Sequence, residues 1–183
     1  MQITLMRHGK PVLERGRWIA PHQMAQWIAS YDQAAIDAVA LPAGAFEAAR
    51  AASVVFASTL PRAQSSALAL GHDAPRLDAL FCEVRLPFST WRFPYLPASV
   101  WAAAFRVCWL FGYARNADSL AAARLRARAA CALLVSSAAE GPVLLVGHGV
   151  INRLIARELR ASGWIATTAH GSGYWGTISL QSS

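Results

Sequence analysis

Two histidines stand beside glycines just after short apolar runs: His8 in Arg7-His8-Gly9, and His148 in Val146-Gly147-His148-Gly149-Val150. An arginine follows proline in Ser58-Thr59-Leu60-Pro61-Arg62-Ala63. A nucleophilic ring surrounded by fixed cations suits a phosphoryl group, whose equatorial oxygens are handled by positioning and charge. His8 can attack through one ring nitrogen if the other gives its proton to a backbone carbonyl. Arg7 and Arg62 supply forked donors, and Gly9 lets the main chain come close to the anion. His148 reads as a further donor, either protonated or as a fixed tautomer. Alone, Arg-His-Gly is equally an ordinary surface loop; the three segments together carry the reading.

The elements that must position these residues are legible around them. Gln2 to Met6, Ser53 to Ala57 and Pro142 to Val146 read as buried strands, each delivering a polar loop, and Gly176 to Leu180 as a last strand. Met24, Trp27, Ile28 and Tyr31 repeat at helical spacing. So do Leu120, Ala123, Ala127, Cys131 and Leu134, after a cap at Asp118 or Ser119. Pro61 suits the first turn of a helix from Arg62 to Leu70, placing free backbone N–H groups beside Arg62. This alternation predicts an α/β fold, a three-layer α/β/α sandwich with a mainly parallel central sheet. Ligands bind such sheets at the carboxyl ends of strands, where the three polar segments fall.

The totals predict one domain spanning residues 1–183, since 183 residues with 55% hydrophobic and 15% charged side chains suit a single packed core. An irregular insertion is expected at about 81–112, broken by Pro87, Pro94 and Pro97 and punctuated by Trp91, Trp101 and Trp109. It would partly roof the site. Its tryptophans leave open plain core packing, an apolar surface for substrate or a homodimer contact. A net charge of +7, carried by arginines and Lys10, implies an anionic partner. The scattered arginines, with no basic block and no interleaved aromatics around Arg124, Arg126 and Arg128, argue for a small phosphorylated molecule over nucleic acid. No apolar run reaches the roughly 20 residues of a spanning helix, so no membrane partner is expected. Cys82, Cys108 and Cys131 are odd in number and widely spaced, which fits a reducing cytoplasm and neither a disulfide framework nor a zinc site. The N-terminal apolar run is too short for a signal peptide and leads straight into Arg7-His8-Gly9. No metal and no organic cofactor is expected, because His-x-Glu motifs, carboxylate clusters and dinucleotide loops are missing.

With Arg7-His8-Gly9, Ser58 to Ala63 and Gly147-His148 in this order, the chain resembles the histidine phosphatase superfamily, in its phosphoglycerate-mutase-like branch of small bacterial phosphatases. The resemblance implies that His8 is a phosphohistidine nucleophile and that Arg7, Arg62 and His148 bind the phosphoryl oxygens, helped by backbone near Gly149. It also implies a glutamate that protonates the leaving group, for which Glu83 is the candidate. Burial beside Phe81 would raise its pKa to suit that task, and a surface ion pair with Arg85 is the competing account. Where mutases carry an acidic or amide residue after Arg-His-Gly, this chain has Lys10-Pro11-Val12-Leu13-Glu14-Arg15-Gly16. That departure favours hydrolysis over mutase chemistry, which must keep water out. The implied function is a metal-independent phosphomonoesterase. The alternatives are a mutase, a phosphohistidine-protein phosphatase and, in another class, a non-catalytic phosphate-binding module. His22 and His72 read as solvated, Lys10 as a charge at the mouth of the site, and His170 as part of a C-terminal loop.

Overall fold

The computed structural model describes residues 1–13, 16–37 and 41–182; Glu14 and Arg15 of the departing segment lie outside the described residues. The strands are β1 (Gln2–Arg7), β2 (Trp18–Ile19), β3 (Val54–Ala57), β4 (Arg76–Leu77), β5 (Leu96–Pro97), β6 (Val143–Gly147), β7 (Ile165–His170) and β8 (Thr177–Gln181). The α-helices are α1 (Met24–Gln33), α2 (Ala43–Arg50), α3 (Pro61–Ala69), α4 (Ala98–Leu110), α5 (Leu120–Ser137) and α6 (Gly149–Ala161). Six strands form one sheet in the order β4-β3-β6-β1-β8-β7. β4, β3, β6 and β1 are mutually parallel, whereas β8 runs antiparallel to both its neighbours.

The central strands are continuous apolar runs because both of their faces are covered. Ile3, Leu5, Val54, Phe56, Val143 and Leu145 pack with Ala123, Ala127 and Leu134 of α5 and with Ile151, Ile155 and Leu159 of α6. Their neighbours Met6, Val55, Ala57, Leu144 and Val146 point the other way, against Ala45 and Ala49 of α2 and Ala63 and Ala67 of α3. Alanines at these contacts let the helices lie close to the sheet. The result is the expected three-layer sandwich with a mainly parallel sheet.

Register then decides which loops meet. Arg7 pairs with Gly147 and Ala57 with Val146, so β1, β3 and β6 finish level with one another. Their next residues are His8, Ser58 and His148, and three segments far apart in sequence become neighbours. Ser119, rather than Asp118, caps α5, its hydroxyl accepting the Ala122 N–H at 3.1 Å.

Residues 81–112 contain more order than the prolines imply. Pro97 stands before α4, and Trp101 and Phe105 join Ile19, Met24 and Ala98 in a satellite core beside α1. Trp109 is buried in the main core instead. Prolines break the segment only up to Pro97; beyond it the period of Trp101, Phe105 and Trp109 is helical. His170 also departs from expectation, since it ends β7, an edge strand with all six residues exposed. Among the described residues, no helix is long and apolar enough to cross a membrane.

Candidate active site

His8 is 2% exposed and follows directly on β1. Its Nδ1 donates to the Gly9 carbonyl oxygen at 2.7 Å. A carbonyl only accepts, so the proton sits on Nδ1 and the lone pair on Nε2. The Gly9 N–H donates to the Ser66 hydroxyl at 2.9 Å, and that hydroxyl donates to the Arg62 carbonyl at 2.6 Å, tying the His8 loop to α3. At Gly9 an added Cβ would lie 2.5 Å from the Trp175 ring, so packing too leaves no room for a side chain there.

Arg62 is 1% exposed, in the first turn of α3 as anticipated. Its Nη1 donates to the Tyr31 carbonyl at 3.0 Å and to Asp32 at 3.2 Å. Arg7 donates to the Ser172 carbonyl at 3.4 Å. The Nε atoms of both arginines are buried without a hydrogen-bond partner.

His148 is fully buried at the start of α6, its ring centre 4.9 Å from that of His8. Burial above all, and then the positive fields of Arg62 and Arg7, hold its pKa well below the usual histidine value. Of the two expected states, that direction favours the neutral ring over the protonated one. Its Nε2 lies 2.6 Å from the Ser58 hydroxyl, which itself accepts the Leu60 N–H at 3.3 Å. With that hydroxyl donating to Nε2, the His148 proton sits on Nδ1, another buried atom without a partner. Buried donors left unpaired cost roughly 1–3 kcal/mol each, so this corner favours any anion that would satisfy them.

Glu83 is half-buried, but an apolar wall is not what holds it. Its carboxylate accepts the N–H groups of Val84 at 3.0 Å, Val150 at 3.2 Å and Ile151 at 3.1 Å, so it caps α6 just after His148. Among the described residues it forms no ion pair with the exposed Arg85. An added Cβ on Gly149 would stand 3.6 Å from Arg7 Nε and 3.8 Å from Glu83 Oε2, so this glycine keeps open the space between cation and carboxylate. Arg126, expected on a solvated face, is turned inward. It donates to the carbonyls of Leu80 at 3.1 Å and Cys82 at 2.6 Å, holding the turn that carries Glu83.

Arg7, Arg62, Glu83 and Gly149 line a cavity of about 490 Å³, walled also by Trp27, Ile28, Tyr31, Leu86, Ala102, Arg106 and Tyr174. Lys10 lies elsewhere, exposed in a separate groove of about 610 Å³ with Arg17, Gln23 and Asp37. Of the remaining histidines, His22 is exposed, whereas His72 is half-buried, with its Nε2 3.2 Å from the Ala49 carbonyl. Sequence reasoning missed Ser58, Ser66, Tyr31, Tyr174 and Asn152. Asn152 donates to the Met6 carbonyl at 2.9 Å, and its Oδ1 leaves no room for a side chain on Gly147. Ser58 carried a signal as the first residue of the Ser58 to Ala63 segment, and Ser66 as the residue one helical turn beyond Arg62. Among the described residues, no group of three or more histidine, cysteine or acidic side chains is placed to hold a metal.

Fold and site together define an enzyme of the phosphatase type. Residues 3–169 match the family described as histidine phosphatase superfamily (branch 1), and the chain belongs to that family. No curated protein matches the sequence. Among solved structures, mycobacterial glucosyl-3-phosphoglycerate phosphatase is similar at 21% identity and a TM-score of 0.57, over 86% of this chain and 78% of that one. A mycobacterial hydrolase reaches 20% identity and a TM-score of 0.59, covering 99% of this chain and 89% of its own. The product of a Mycobacterium tuberculosis open reading frame gives 18% and 0.55, over 99% and 95% of the two chains. At these identities the likeness is one of fold.

Proposed function

We propose that the chain is a metal-independent phosphomonoesterase that acts on a small phosphorylated molecule through a phosphohistidine at His8. The observation that carries this reading is the Nδ1–H to Gly9 carbonyl bond of the buried His8, together with buried donors on Arg7, Arg62 and His148 that have no hydrogen-bond partner. Nε2 attacks phosphorus and the ester P–O bond breaks. Glu83, in its protonated form, gives the departing oxygen its proton. A water then attacks the phosphohistidine, Glu83 takes the water's proton, and the N–P bond breaks to release inorganic phosphate. Arg7, Arg62 and His148 hold the equatorial oxygens throughout.

A cavity of about 490 Å³ with apolar walls from Ile28, Leu86 and Ala102 suits a small ester better than a protein surface. A mutase-type transfer is the second reading. It is favoured by the 2% exposure of His8, because transfer to a second hydroxyl requires a phosphohistidine kept from water. Three free cysteines suit a reducing cytoplasm, the location we assign.

Inorganic phosphate release from a panel of phosphomonoesters, with chelator in excess, compares the wild type with His8→Ala. Chelator-resistant turnover that vanishes in the variant supports the proposal. Turnover that needs added metal, or that survives His8→Ala, overturns it.

A further inference from the structure

Arginines outnumber carboxylates on the wall of the cavity: Arg7, Arg62, Arg85, Arg106 and Arg153 line it with Asp32 and Glu83. Asp32 is already engaged with Arg62, and the Glu83 carboxylate is held by backbone N–H groups. Arg85 and Arg153 are exposed, where water screens their charge. Arg106 is half-buried, and its charge is left unanswered.

Arg106 comes from α4, whose Ser99 and Ala102 line the same cavity, so the helix turns one face toward it. Its Nη2 donates to the Val84 carbonyl at 2.8 Å, and its guanidinium carbon lies 5.2 Å from the centre of the Trp109 ring. Those two contacts fix the group. Its Nη1 is buried with no hydrogen-bond partner, and among the described residues no carboxylate comes within ion-pair distance of it. Burial lowers its pKa against the opposing field of Glu83, yet a guanidinium stays charged at neutral pH. A desolvated cation without an anion is costly, and a ligand that brings the anion removes the cost.

The anchor of Arg106 decides which part of a substrate it meets. Val84 follows Glu83, the residue assigned to protonate the departing oxygen. A group drawn to Arg106 therefore belongs to the leaving alcohol and not to the transferred phosphoryl. We propose that Arg106 is a substrate-binding residue that selects phosphomonoesters whose leaving group carries a carboxylate: Nη1 donates to a carboxylate oxygen while Nη2 keeps Val84. This deepens the phosphatase reading above and rests on it. A carboxylate suits the place better than a second phosphate. Arg106 offers one open nitrogen, whereas a phosphate dianion needs donors on several sides, as Arg7, Arg62 and His148 supply for the first.

The test compares para-carboxybenzylphosphonate with its neutral carboxamide by calorimetric titration, on wild type, Arg106→Met and Arg106→Lys. The matching esters, para-carboxyphenyl and para-carbamoylphenyl phosphate, are followed by release of inorganic phosphate. Wild type should bind the carboxylate about tenfold more tightly than the carboxamide, the size of one charge-assisted hydrogen bond, with the same preference in KM rather than kcat. Arg106→Met should abolish the preference, whatever it does to both ligands through Val84. Arg106→Lys, which keeps the charge but not the fork, should retain part of it. Equal affinities in the wild type, or a preference that survives Arg106→Met, would overturn the proposal. So would tighter binding of the analogue bearing a second phosphonate in place of the carboxylate. If Arg106→Met does not fold, a full wild-type preference in Arg106→Lys overturns it and a reduced one supports it. A wild type that hydrolyses no ester counts against the phosphatase reading, while the ratio of affinities still decides this one.

Discussion

The Ser58 hydroxyl and the Nε2 of His148 are 2.6 Å apart in a contact closed to solvent, which links the loop after β3 to the loop after β6. The Leu60 N–H occupies one acceptor position of that hydroxyl, whose own proton remains available to the imidazole. Ser58→Ala should therefore leave the His148 ring in place while releasing its tautomer. We expect kcat/KM to fall about tenfold, equivalent to roughly 1.4 kcal/mol of lost transition-state stabilisation. Steady-state kinetics beside a thermal melt checks this, and a fall matched by loss of fold would count against the tautomer argument.

Acid should destabilise the protein through His148. Its pKa is lowered in the folded state, so below the unfolded value of 6.5 the unfolded chain binds a proton that the folded chain refuses. Stability from this group is thus complete above pH 6.5 and declines as pH falls, by up to about 1.4 kcal/mol per unit. Urea unfolding at pH 7 and pH 5, compared between wild type and His148→Gln, reads the difference. The variant should lose part of the pH dependence.

Glu83 is expected to matter most when the leaving group is poor. Glu83→Gln should slow alkyl phosphates about a hundredfold and aryl phosphates far less, because phenolate departs without a proton. Equal losses on both would remove Glu83 from the acid role. Arg126→Met, which frees the carbonyls of Leu80 and Cys82, should follow the same pattern more weakly by loosening the turn that carries Glu83.

Gly149→Ala should fold, since the new Cβ meets Arg7 Nε at 3.6 Å and Glu83 Oε2 at 3.8 Å, ordinary contact distances. It would nevertheless intrude between cation and carboxylate. The vanadate Kd should rise about tenfold, or roughly 1.4 kcal/mol, with little change in Tm. Calorimetric titration checks the first expectation and a melt the second.

Much of the fold was readable because doubly covered parallel strands are short apolar runs, and those ending at Met6, Ala57 and Val146 each lead into a polar turn. β7 was not readable, because none of Ile165 to His170 is buried and an edge strand with no buried face writes no alternation. Helix α4 was hidden by the prolines before it, although Trp101, Phe105 and Trp109 recur at intervals of one turn. The resemblance pointed to Glu83 as a candidate, and its setting differs from the apolar one expected. Val150 and Ile151, which hold its carboxylate, lie on another element, and nothing in the local sequence names them.

By itself the sequence determined the chemical groups and their local turns: a histidine between arginine and glycine, an arginine in the first turn of a helix, a histidine flanked by glycines. These follow from adjacency along the chain, which propensity and hydrophobic pattern record. Only the tertiary structure decided that burial and nearby arginines push the His148 pKa down, that Arg126 serves the Glu83 turn and that the Tyr174 ring lies against His8. Protonation and access depend on which groups lose water and which charges come within a few ångströms, and those distances exist only once the strands are in register.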